Sequence, residues 1–183
     1  EGLVVIGGDG SFTGARLLSD ENGINVVGIP GTIDNDLAYT DYTLGFDTAV
    51  NTVLWAINNL RDTMTSHDRV SLVKVMGRRC GDIALYAGIC GGAEYILVPE
   101  VPYDIQKIAN GIKHNRESGK TANVIVLAEG AGDENEIKTV VSVISGADVK
   151  ITALGHIQRG GSPSMADRML AAKFGYHAVK LLM

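Results

Sequence analysis

Short apolar runs alternate along the chain with stretches of helical period. Leu3-Val4-Val5-Ile6 is a continuous apolar run of strand length and predicts a buried strand. A glycine-rich turn and a helical stretch to about Ser19 follow, and Asn25-Val26-Val27-Gly28-Ile29 predicts the next strand. Pro30-Gly31-Thr32-Ile33-Asp34-Asn35-Asp36 reads as a polar turn, because Pro and Gly interrupt it and polar residues crowd its end. From about Thr48 to Arg61, apolar Ala49, Val53, Ala56, Ile57 and Leu60 recur mostly three or four apart, the spacing of an amphipathic helix, and Trp55 is expected to pack beside that stripe. Leu72 to Met76, Tyr95 to Val98, Val124 to Leu127 and Lys150 to Leu154 predict further strands. Helical patterns cover Asp82 to Cys90, Asp104 to Glu117 and Met165 to Leu182. Ile137 to Ile144 fits helix or strand, since its β-branched residues blur the period.

Strands alternating with helices predict an α/β fold with parallel sheets covered by helices. No internal repeat stands out. Beginning and ending on buried-looking elements, the sequence leads us to expect a further piece at either end.

Composition narrows the partners. The 183 residues, 45% of them hydrophobic, suffice for one ordinary domain or two small lobes. Sixteen Lys and Arg against 21 Asp and Glu leave a net charge of -5, without the basic excess of a nucleic-acid binder. No apolar run reaches the roughly 18 residues of a membrane span, and no signal peptide is visible, so a cytoplasmic setting is expected. The 23 glycines are scattered among strand-like runs, as tight turns and close backbone approaches require. Cys80 and Cys90 form no disulfide framework or metal motif and read as packing residues. His67, His114 and His177 carry no evident chemistry.

Four polar turns follow apolar runs. Gly7-Gly8-Asp9-Gly10-Ser11 lets backbone amides approach an anion at a helix start, with Asp9 suited to Mg²⁺; on the residues alone, a plain turn capped by Asp9 or Ser11 is somewhat favoured. It is neither a dinucleotide fingerprint nor a Walker loop. Thr32-Ile33-Asp34-Asn35-Asp36 sets two carboxylates two residues apart, a pairing that suits phosphoryl transfer to an alcohol and also suits a self-satisfied Asx turn. Met76-Gly77-Arg78-Arg79 puts an arginine at a strand exit, either facing a transferring phosphoryl group or solvated. His156-Ile157-Gln158-Arg159-Gly160-Gly161 offers a His and an Arg for a sugar and its phosphate, while Glu129 fits a sugar-hydroxyl acceptor or a solvated acid. In open α/β sheets ligands collect at the carboxyl ends of strands, so the four turns together favour one phosphate-handling cleft.

In that order, these motifs make the whole chain resemble the central part of the bacterial-type ATP-dependent 6-phosphofructokinases. The resemblance implies two interleaved Rossmann-like lobes with the active site in their cleft. Residues 1-45 and 158-183 would belong to the ATP-binding lobe and 46-157 to the fructose 6-phosphate-binding lobe. It implies transfer of the γ-phosphoryl of Mg-ATP to the 1-hydroxyl of fructose 6-phosphate. Asp34 would be the general base, with Thr32, Arg78 and Asp36 as further catalytic residues. Gly8, Asp9, Gly10 and Ser11 would bind the nucleotide, Asp9 through Mg²⁺. Thr32, Ile33, Asp34, Met76, Gly77, Arg78, Glu129, His156, Ile157, Gln158 and Arg159 would line the sugar-phosphate site. Arg69 and Lys150 would reach a neighbouring subunit's 6-phosphate, which implies an oligomer, a homotetramer in bacterial members.

Gly10 and Gly31 resemble the ATP-using branch, where pyrophosphate-using relatives carry Asp and Lys. Arg61, Gly92, Ala93, Glu94 and Lys120 resemble an effector site for ADP or phosphoenolpyruvate, Glu94 through its Mg²⁺. Ser118 and Thr121 stand where the family has Arg and Lys, and Lys150 where it has Arg, so positive charge or its forked geometry is lost there. The family's other glycine-rich phosphate turn and its closing segment have no counterpart in these residues. Two alternatives remain on this reading: a pyrophosphate-dependent phosphofructokinase, and a noncatalytic sugar-phosphate-binding or regulatory subunit.

Overall fold

A computed structural model describes residues 1-64, 69-120 and 122-183; His67 and Thr121 lie outside the described residues. The chain forms two compact units, Glu1–Thr48 with Ser162–Met183, and Ala49–Gly161. Both ends of the chain thus build one unit and its middle builds the other.

In the first unit, β1 (Gly2–Gly7) and β2 (Asn25–Pro30) pair in parallel, from Gly2 opposite Asn25 to Gly7 opposite Pro30. Helix α1 (Asp9–Asn22) makes the crossover and stops at Gly23, whose φ of 66° is the left-handed cap that glycine tolerates. The last helix of the chain, Met165–Leu182, packs on the same two strands. The ring of Phe12 in α1 lies over Gly28, where a Cβ would approach it to 2.9 Å. The predicted strand at Leu3–Ile6 is present, but its burial is not: Leu3 is 40% and Ile6 64% exposed. The described sheet has only two strands, so β1 has a strand beside it on one edge alone.

The second unit is a four-stranded parallel sheet in the order β4-β5-β3-β6. Its strands are β3 (Arg69–Val75), β4 (Tyr95–Leu97), β5 (Asn123–Ala128) and β6 (Asp148–Ala153). The helices are α2 (Phe46–Met64), whose first turn lies in the first unit, α3 (Asp82–Cys90), α4 (Ile105–Glu117) and α5 (Glu134–Ser145); Met165–Leu182 becomes α6. Every residue of β5 is buried, as its continuous apolar run requires. Val70, Leu72, Ile125, Leu127 and Val149 meet Ile108 and Ile112 of α4 and Ile137 and Val141 of α5 in one core.

The ambiguous Ile137–Ile144 stretch is helical. Asp133 accepts from the Asn135 and Glu136 amides at 2.9 Å, and Ile137 and Val141 bury one face while Val143 stays 78% exposed. In α2, Ala49, Val53, Ala56 and Ile57 are buried as expected, but Trp55 is 66% exposed. It falls one residue off the stripe, on the side of the helix that faces solvent. Cys90 is exposed at the end of α3 rather than packed. No helix among the described residues is long and apolar enough to cross a membrane.

Candidate active site

Because β1 and β2 are parallel neighbours, their carboxyl ends bring the first two polar turns together. The Gly31 amide donates to the Gly7 carbonyl at 2.9 Å, and a Cβ on Gly8 would stand 3.5 Å from Cβ of Thr32. Gly8 is the N-cap of α1 and brings no capping side chain; neither Asp9 nor Ser11 caps the helix, which removes the plain capped-turn reading. Asp9, Gly10 and Ser11 are exposed in the first turn, where amide donors and the helix field favour an anion.

The loop from Gly31 to Gly45 is stitched by side chains. Thr32 Oγ1 accepts from the Asp34 amide at 3.2 Å. The buried Thr43 hydroxyl donates to the Thr32 carbonyl at 2.6 Å, while the Thr43 amide donates to Asn35 Oδ1 at 3.0 Å. Asn35 itself holds a left-handed φ of 54°. Asp34 is only 6% exposed, whereas Asp36 is exposed, so the two carboxylates occupy different environments. Ile33 lies half-buried between Thr32 and Asp34.

In the second unit the carboxyl ends of β3, β5 and β6 are adjacent for the same topological reason. The Arg78 amide donates to Glu129 Oε1 at 2.7 Å, and the Met76 amide donates to Gln158 Oε1 at 3.2 Å. Met76, Gly77, Arg78, Glu129 and Gln158 are thereby tied into one cluster. Glu129 is half-buried and braces a neighbouring loop, so it is not a solvated loop acid. Gln158 is 1% exposed, and its amide nitrogen donates to the Gly155 carbonyl at 3.0 Å, so it holds Met76 in place from inside. His156, Ile157 and Arg159 are exposed on the same 3₁₀ turn, Gly155–Arg159. Arg78 has a φ of 54°, a conformation that non-glycine residues keep when their surroundings enforce it. At Gly130, a Cβ would overlap the Arg78 carbonyl oxygen, so only glycine permits this approach. Burial pushes the Cys80 thiol up, which leaves it a poor nucleophile at neutral pH.

Two charge clusters lie at the other ends of the strands. Arg69 Nε and Lys150 Nζ share Asp148 Oδ2, at 3.3 and 3.2 Å, near the start of β3 and β6 and a strand's length from Arg78. Lys120 Nζ and Arg61 Nη2 face Glu94 Oε1 at 2.9 and 3.9 Å. Arg61 also donates to the carbonyls of Gly91 and Gly92, and Ala93 completes this turn between α3 and β4.

The phosphofructokinase family model matches residues 1–182. The chain belongs to the phosphofructokinase family. An ATP-dependent 6-phosphofructokinase of Clostridium tetani is 62% identical over all of this chain and 57% of its own length. The chain thus spans a little over half the length of the curated relatives it matches. The phosphofructokinase of Saccharomyces cerevisiae has the same fold, with a TM-score of 0.89 and 37% identity over 98% of this chain and 28% of that one. A pyrophosphate-dependent phosphofructokinase from Marinobacter aquaeolei aligns with a TM-score of 0.77 and 26% identity, over 99% of this chain and 52% of that one.

Phosphofructokinase chemistry calls for Mg²⁺, and the described residues contain no group of three His, Cys, Asp or Glu that could hold a metal. Exposed Asp9 fits an ion that takes one carboxylate and completes its shell with water and phosphate oxygens. Glu94 does not fit: two cations already face its Oε1, and its Oε2 accepts the Val124 amide at 2.6 Å.

Gly10 and Gly31 have different surroundings. A Cβ at Gly31 would meet an Ile6 methyl at 3.0 Å and the Gly7 amide nitrogen at 3.4 Å, a crowding that favours glycine there. A Cβ at Gly10 meets nothing within 4 Å. Sequence reasoning missed Thr43 and Asp167, the buried residues that hold the Asp34 loop. Ser164-x-x-Asp167 ahead of an apolar helix is a capping-box pattern that could have revealed Asp167.

Proposed function

We propose that the protein transfers the γ-phosphoryl group of Mg-ATP to the 1-hydroxyl of fructose 6-phosphate. The observation that carries this reading is the pairing of a glycine-rich helix start with the buried Asp34 at adjacent strand ends. The first turn of α1 offers amides and helix field to the donor phosphates, and Asp34 is the group suited to accept the hydroxyl proton as the sugar oxygen bonds to the γ-phosphorus and the bond to ADP breaks. Mg²⁺ held by Asp9 would neutralise phosphate charge. Arg78 counters the charge on the transferring group, with Thr32 beside it and Asp36 supporting the local charge balance. Met76, Gly77, Glu129, His156 and Arg159 bind the sugar phosphate. On this reading the first unit is the ATP-binding lobe and the second the sugar-phosphate lobe.

ATP is favoured over pyrophosphate by the open space at Gly10 and by the 62% identity to a relative named as ATP-dependent. Arg69 and Lys150 are proposed to reach the 6-phosphate of a neighbouring subunit in a homotetramer, which fits their distance from Arg78 within one chain. Arg61, Gly92, Ala93 and Lys120 are proposed to take an anionic effector, ADP or phosphoenolpyruvate, with Lys120 and Arg61 released from Glu94 to meet it.

The test is fructose 6-phosphate-dependent ADP formation from Mg-ATP by the purified protein, run beside the same assay with pyrophosphate. Activity with ATP alone supports the reading. Activity with pyrophosphate alone replaces it with the alternative donor. Silence in both, with sugar phosphate still bound, points to a noncatalytic binding subunit.

A further inference from the structure

Asp167 has no part in the chemistry described so far, yet it is only 5% exposed and its carboxylate receives donors from a distant part of the chain. Oδ1 accepts the Gly45 amide and Oδ2 the Thr48 amide, both at 2.9 Å, and the Thr48 hydroxyl also donates to Oδ2. Those amides open α2. Gly45, with a φ of 98°, has no side chain to cap the helix that begins at Phe46, so a carboxylate from α6 does that work instead. The exchange is reciprocal. Thr48 Oγ1 accepts the Ser164 amide at 3.0 Å, and Ser164 Oγ accepts the Asp167 amide at 3.2 Å. One buried carboxylate therefore sits at the positive ends of two helices, where its charge is favoured.

From Gly45 the chain leads back to Asp34 in a few bonds. Leu44 donates to the Pro30 carbonyl at 2.9 Å, and Thr43 holds the backbone of Thr32 and the side chain of Asn35, the residues on either side of Ile33 and Asp34. We propose that Asp167 is a positioning residue for Asp34: by fixing Gly45 and Thr48 it sets the Thr43 clamp that holds the Asp34 backbone at the end of β2. This rests on the reading of Asp34 as proton acceptor.

The test compares Asp167→Ala, Asp167→Asn and Thr43→Val in the protein assayed above, with Asp34→Asn as reference. Asp167→Ala is expected to lower kcat about tenfold while both KM values stay within about twofold, because a misplaced catalytic group costs turnover before binding. Asp167→Asn, which keeps one acceptor oxygen, recovers part of the loss. Combining Asp167→Ala with Thr43→Val gives no greater loss than the worse single change, since both act on one path. An unchanged kcat in folded Asp167→Ala, a change confined to KM, or losses that multiply in the double variant each overturn the proposal. Should neither Asp167 variant show a cooperative thermal transition, Asp167 serves folding alone and the proposal falls. Full turnover in Asp34→Asn sinks the reading of Asp34 itself, and the positioning role with it. Lost turnover there beside an unaffected Asp167→Ala sinks only the positioning role.

Discussion

The two units solve the same problem, holding polar loops at the ends of parallel strands, by different means. In the second unit the sheet does it: β5 is wholly buried, Leu72 and Leu127 are at 0% exposure, and the Arg78 loop needs only short braces from Glu129 and Gln158. In the first unit the sheet is thin. Ile6 is 64% exposed, and order in the Asp34 loop comes from hydrogen bonds through Thr43, Asn35 and Asp167. Apolar burial is non-directional and tolerates loop variation, whereas a hydrogen-bonded loop depends on each partner in turn. The first unit should therefore lose function to single polar substitutions, and the second should lose stability to apolar ones.

The largest expected effect is catalytic. Asp34→Asn should lower turnover by about 100-fold or more while the thermal transition stays close to that of the unaltered protein, because the substitution is nearly isosteric. Steady-state kinetics beside a melting curve checks both halves.

Next come paired truncations that strike the comparison directly. Leu127→Ala should cost about 2–5 kcal/mol, as expected for emptying a fully buried site, while Ile6→Ala should cost less than about 1 kcal/mol. Denaturant unfolding decides. Equal losses would break the contrast between a thick and a thin sheet.

Smaller still is an acid-side effect in the second unit. Lys74 Nζ lies 2.7 Å from Glu134 Oε2, and this hydrogen bond, aided by Glu134's own backbone amide and by the charge of Lys74, holds the Glu134 carboxyl below its ordinary value of 4.5. A carboxyl lowered in the folded state adds stability that is complete above the unfolded value and fades as pH falls through the lowered one. Lys74→Met should therefore narrow the stability difference between neutral pH and pH values below about 4. An unchanged acid limb in a pH series of melting curves would leave the pair without weight.

The smallest effect is expected at Lys150. Lys150→Arg should tighten fructose 6-phosphate use by a few-fold at most, since the positive charge is already present and only the two-pronged geometry is added. Unchanged substrate dependence would remove Lys150 from the 6-phosphate site.

The order of strands and helices was legible because each apolar run had the length and bounds of one element. Ile137–Ile144 was not, since its β-branched residues fit both periods. It became a helix through the Asp133 cap and the i, i+4 burial of Ile137 and Val141. Trp55 shows the limit of reading a stripe: a position one residue off it turns a large ring to solvent. The candidate residues themselves, from Asp9 to Arg159, were nameable from motifs. The contacts that support them were not, because the bonds of Thr43 to Thr32, Gln158 to Met76 and Asp167 to Gly45 span 11, 82 and 122 positions.

By itself the sequence determined the alternation of strands and helices, the glycine and carboxylate turns, and the kinship those turns carry, since all of these are local in the chain. Only the tertiary structure decided which turns stand side by side, that Gly31 is crowded and Gly10 is open, and that one α6 carboxylate caps α2. The physical reason is that strand order and buried hydrogen bonds join residues up to 122 positions apart, and such pairings exist only once the chain has folded.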